Sequence, residues 1–134
     1  MPNISDIEGV GDVYGAKLKD AGIGTTEALL EAGKDPKGRE DLAEKTGISP
    51  KHILTWVNHA DLFRIKGIAG QHSELLEASG VDTVVELATR NASNLAPKLH
   101  EVNDDKHLVR SVPSESEVAE WIEYAKELPR VVTY

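Results

Sequence analysis

Five histidines, His52, His59, His72, His100 and His107, and the absence of cysteine bound the side-chain chemistry open to this chain. Without thiols there is no disulfide, no thiolate metal site and no thiol nucleophile, a pattern that fits a reducing compartment and leads us to expect a cytoplasmic protein. His52 and His59 stand seven apart on one predicted helix. They share a face but lie about two turns from each other, too far to ligate one ion without outside ligands. The run HEVNDDKH, His100 to His107, sets carboxylates between histidines and has the donors to hold a divalent ion weakly. A solvated, acidic helix end accounts for it equally well, and we expect neither a metal site nor a cofactor. No serine sits in a strained elbow and no Ser/His/Asp spacing is present, so a metal-assisted hydrolase ranks below any binding function and the chain is expected not to be an enzyme.

The other chemistry available is that of the main chain. The stretch IEGVGDVYGAKLKDAGI, Ile7 to Ile23, places four glycines among regularly spaced apolar residues. Glycine permits backbone angles that a side chain penalises and lets another molecule approach the amides. Where such a bend feeds a helix, the first N–H groups form an anion site reinforced by the helix dipole. A dinucleotide-binding turn would need a buried strand in front of it, and the preceding MPNISDIE is short, polar and contains a proline.

The elements that carry these groups are helical. Asp12 is placed to cap a helix running to about Ala21, with Val13, Ala16, Leu18 and Ala21 as apolar positions and Gly22 as a left-handed stop. Thr25 opens a short helix that ends at Gly33. Asp35 and Pro36 start a third, which stops at Gly47, and Ser49 and Pro50 start a fourth bearing Ile53, Leu54, Trp56, Val57 and Ala60. Ser114 and Glu117 have capping-box spacing ahead of Val118, Trp121, Ile122 and Ala125, and Pro129 ends that helix. Only the tail RVVTY alternates in a strand-like way. The fold class is all-α.

Sliding the chain on itself by 58 positions aligns Ile7–Leu30 with Ile65–Ala88 without a gap. Six of the 24 pairs are identical, among them Gly9/Gly67, Leu18/Leu76, Gly22/Gly80 and Thr25/Thr83; residue frequencies give about one or two. At a shift of 65, Ile53, Trp56, Val57 and Ala60 meet Val118, Trp121, Ile122 and Ala125. The second copy therefore carries about seven extra residues around NDDKHLVRSVP. This organisation divides the chain into residues 1–64, 65–129 and a tail at 130–134, with one shared core. His72 takes the place of Tyr14 and is expected to pack at a helix flank. The two tryptophans share their faces with aliphatic residues, so packing is expected of them rather than base stacking.

The pattern I-x-G-V-G followed by an amphipathic helix ending in AGI resembles the helix-hairpin-helix motif, and IKGIAG with LLEASGV resembles a second copy. Nearly the whole chain is similar to an uncharacterised bacterial family of tandem helix-hairpin-helix-like proteins, known only as a domain of unknown function. The resemblance implies two pseudo-symmetric repeats packed into one compact domain, and contact with nucleic-acid backbone phosphates that is independent of sequence, since phosphates position but do not specify. Carried onto this chain, it implies binding by Gly9, Val10, Gly11, Asp12 and Val13 with Lys17 and Lys19, and by Gly67, Ile68, Ala69 and Gly70 with Arg64 and Lys66. Glu8 and Asp12 depart from the motif by setting carboxylates beside the first phosphate. In the second copy Ala69 replaces the second glycine and Gly70 comes one residue late.

A net charge of −8 opposes binding of a polyanion over the whole surface, so a nucleic-acid contact would be local, weak, non-specific and steeply salt-sensitive. The rival expectation is a protein-interaction adaptor or self-associating scaffold whose bends are structural, with the tail at 130–134 as the contact between copies. No apolar run approaches the roughly 20 residues that a bilayer span needs, so no membrane partner is expected.

Overall fold

Side-chain caps and glycine stops divide the chain into eight α-helices among the described residues, 3–68 and 70–134 of the computed structural model. Those residues hold no strand, only an isolated antiparallel bridge between Asn3 and Thr25. The helices fall into two units.

The first unit runs to Asp61 and includes Val131–Tyr134. A 3-10 turn, Ile4–Asp6, is closed by a reciprocal cap between Asn3 and Asp6 and leads into α1, Gly11–Asp20. Gly22, at φ +87°, makes the stop. Thr25 Oγ1 accepts from the Ala28 amide at 3.1 Å to start α2, Thr26–Gly33. Asp35 Oδ1 accepts from the Gly38 amide at 2.7 Å to start α3, Pro36–Thr46, which ends at Gly47 with φ +72°. The helix α4 follows, Pro50–Leu62. Satisfying these end amides is worth about 1 kcal/mol per cap. α2 packs on α3 and α1 on the 3-10 turn. Ile4, Ile7, Val10, Leu18, Leu29, Ile53, Trp56 and Val57 are all buried and form the apolar interior.

The second unit, Leu62–Arg130, contains α5 (Gly70–Ala78), α6 (Val84–Ala88), α7 (Ala92–Lys106) and α8 (Glu115–Glu127). α8 packs against both α6 and α7, and α5 packs on α7, around Leu62, Ile65, Leu76, Leu87, Leu99, Val118 and Trp121. Ser114 and Glu117 complete the capping box expected of them, and α8 stops at Leu128, whose extended angles suit the residue before Pro129. The extra residues after α7 are tied down by one side chain. Asn103, buried, accepts from the Val109 amide at 2.9 Å and donates to the Val109 carbonyl at 3.1 Å.

Two expectations need correction. Asp12 is not the cap of α1: the helix opens one residue before it, at Gly11, the cap position falls to Val10, and no side chain bonds the first amides. Val10 is buried and sets the turn from the core side, which leaves Asp12 inside the first turn. The tail is not a strand either. It lies along the first unit as an irregular segment, because its partners are a carbonyl and a guanidinium rather than a strand edge.

Candidate nucleic-acid interface

The first corner is built on two short main-chain bonds. Ile7 donates to Ile4 O and Val10 donates to Ile7 O, each at 3.3 Å, and both side chains are buried. Gly9 sits at φ +91°, exposed, with Nε1 of Trp56 only 3.7 Å from where a Cβ would stand. Gly11 follows at φ +65° and has nothing within 4 Å of that point. Gly11, Asp12 and Val13 are all exposed and open α1 with no side-chain cap. A helix start leaves its first N–H groups without intrahelical acceptors, and here no side chain caps them at the positive end of the helix dipole.

The second corner repeats the local geometry within its own unit. Ile65 donates to Leu62 O at 3.1 Å and Ile68 to Ile65 O at 3.2 Å. Gly67 has φ +97°, and Nε1 of Trp121 lies 3.3 Å from its Cβ position. Ile23 and Val81 each donate at 2.8 Å, to Leu18 O and Leu76 O, across the stops at Gly22 and Gly80. Tyr14 tilts on Trp56 at 5.1 Å, and His72 tilts on Trp121 at 5.3 Å. The opening differs, however. Gly70 at the start of α5 is buried, with its carbonyl taken by Ser73 Oγ at 2.8 Å, whereas Gly11 is exposed. Ala69 lies outside the described residues.

The expected contact residues therefore separate. Val10 and Ile68 turn inward and spend their amides on the bend, so they hold the corners rather than touch a ligand. Lys17 and Lys19 belong to the last turn of α1. A rise of about 1.5 Å per residue sets Lys17 roughly 9 Å along the axis from Gly11. Its Nζ reaches back over the Tyr14 ring, 5.9 Å from the centroid. In the second unit Lys66 and Gly67 are exposed and Arg64 is half-buried. Trp56 and Trp121 are 3% and 5% exposed, which removes their faces from base stacking.

One neighbour went unnoticed in the sequence. His52, exposed on α4, stacks at 13° on Trp56 with centroids 5.5 Å apart and also touches the Tyr14 ring at 5.6 Å. Its signal was the i, i+4 spacing of His52 and Trp56, which puts the two rings on one helix face. For cations, no group of three or more histidines and carboxylates converges among the described residues. His100 lies on α7, and His107 closes that helix in a left-handed conformation, φ +53°. No helix among the described residues is long and apolar enough to cross a membrane.

The family model described as Domain of unknown function (DUF4332) matches residues 8–128. No curated protein and no solved structure matches the chain.

Proposed function

The chain belongs to the family of the domain of unknown function DUF4332, and on that premise we propose that it is a non-enzymatic module that holds a nucleic-acid backbone phosphate at the corner before α1. The observation that carries this reading is the exposed, uncapped start of α1 at Gly11, Asp12 and Val13. The 3-10 turn and helices α2, α3, α6, α7 and α8 all have a side chain on their first amides. The recurrence of two positive-φ glycines, each beside an indole nitrogen, supports reading the units as tandem helix-hairpin-helix repeats. Within that pair the first corner is the binding copy, since Gly70 is buried, and exposed Lys66 adds only a cation in the second.

Asp12 opposes the ligand. A like charge at about 4 Å costs about 1 kcal/mol even in full solvent screening. The test follows from that sign. In fluorescence anisotropy with a short labelled DNA, Asp12→Asn should tighten binding by about fivefold, and Gly11→Asp should weaken it by at least as much. Unchanged affinity in both variants would remove the start of α1 as the site.

A further inference from the structure

The last four residues are held on the first unit by contacts to Lys34, Arg39 and Asn58. Val132 is buried at 3% exposure. Both main-chain groups of Thr133 are held: its amide donates to Lys34 O at 2.8 Å, and its carbonyl accepts from the Arg39 side chain, Nη2, at 2.7 Å. Tyr134 covers the Arg39 guanidinium at 5.7 Å and donates its hydroxyl hydrogen to Oδ1 of the buried Asn58 at 3.1 Å. Arg39 is itself only 8% exposed, and its other acceptor is Gly33 O at 2.9 Å. Its partners are thus carbonyl oxygens and a ring, none of them a carboxylate. A buried guanidinium needs such acceptors, because an unpaired buried charge is strongly unfavourable.

This groove reads an extended backbone through one donor, the Arg39 guanidinium, and one acceptor, Lys34 O, while the occupant buries the Val132 side chain and lays its own Tyr134 ring on Arg39. Those are the features by which proteins bind extended segments. Nothing in the contacts requires that the segment come from the same copy. The tail has no regular secondary structure, and the helix before it has already ended at Leu128 and Pro129. We propose that the groove formed by Lys34, Arg39 and Asn58 accepts Val131–Tyr134 from a second copy of the chain, so that two copies exchange tails. The second copy presents the same residues, so every bond described above can re-form between copies, which is what makes such exchange a low-cost route to dimers. A tethered tail competes at an effective concentration of roughly millimolar, so wild-type protein exchanges only when concentrated. The proposal is independent of any nucleic-acid contact.

The test separates donor from acceptor in the full-length chain. Val132→Asp spoils the tail and leaves the groove; Arg39→Ala spoils the groove and leaves the tail. Each variant alone should run as a monomer in size-exclusion chromatography with light scattering, and an equimolar mixture should give a species of twice the mass. Two folded variants that stay monomeric when mixed overturn the proposal. Should Arg39→Ala fail to fold, a synthetic Arg-Val-Val-Thr-Tyr peptide titrated into the Val132→Asp chain decides. Saturable one-to-one binding, lost when the peptide's second valine is replaced by aspartate, supports the groove; no binding of the unmodified peptide overturns it.

Discussion

Gly9 and Gly67 make the same demand on the backbone, φ near +91° and +97°, and an indole nitrogen stands beside each of them. Any L side chain in that region costs about 1–2 kcal/mol. An added methyl would meet Trp121 at 3.3 Å but Trp56 at 3.7 Å. Both alanine variants should therefore lower stability by that amount, with Gly67→Ala the more damaging of the two, as urea denaturation of the single variants would show. A second residue-scale expectation concerns charge. The hydrogen bond from Lys34 Nζ to Glu31 Oε1, 2.9 Å, and then the charge of that carboxylate hold the ammonium above its ordinary pKa. A raised value means that the pair's contribution is complete below the unfolded pKa of lysine and disappears as the pH climbs through the folded one. It is thus present at neutral pH and lost only in strong alkali. Glu31→Gln should return the Lys34 titration, followed by NMR, toward the ordinary lysine value.

At the scale of elements, the helix starts show which local signals dominate. Thr25 and Thr83 cap α2 and α6 in the same way, by accepting from the amide three residues on, at 3.1 and 3.4 Å. Thr25→Ala and Thr83→Ala should each cost about 1 kcal/mol in denaturant titration, and Thr25 the more, since its bond is shorter. α1 follows another rule. With Val10 drawn into the core, its first turn has only the Asp12 carboxylate to complement the helix dipole. Asp12→Asn should then lower stability by about 0.3–1 kcal/mol while it tightens DNA binding. Opposite signs for the two measurements are the signature of a carboxylate that stabilises the helix at the expense of the ligand. The first half of α7 was hidden for a different reason. Pro97 lies inside it, where a missing amide argues against helix, yet Asn91 caps its start and Leu95, Ala96 and Leu99 bury one face. Tertiary burial outweighed the local penalty.

For the molecule as a whole, charge sets the terms of any nucleic-acid contact. The net charge of −8 repels a polyanion at long range, and the proposed site offers amides rather than a cluster of lysines. Contact with one or two phosphates implies a shallower salt dependence than the steep one expected from the sequence: raising salt from 50 to 200 mM should weaken binding by about 3- to 12-fold. A loss of several orders of magnitude would instead indicate an extended basic surface. The tail belongs to this scale as well, because residues at the end of the sequence complete the first unit around Arg39.

The sequence by itself determined the all-helical class, most helix ends and the burial of both tryptophans, because caps, glycine stops and apolar stripes act over three or four residues and are written where they act. Asn103 is different: its two bonds to Val109 hold a loop, and nothing in its immediate neighbours announces them. Only the tertiary structure decided that Val10 displaces Asp12 as the cap position, that Gly11 is open while Gly70 is covered, and that Arg39 is held by Thr133 from the far end of the chain. Exposure and long-range pairing depend on what the folded chain brings alongside a residue, and that is fixed by packing across the unit rather than by the residue's own surroundings in the sequence.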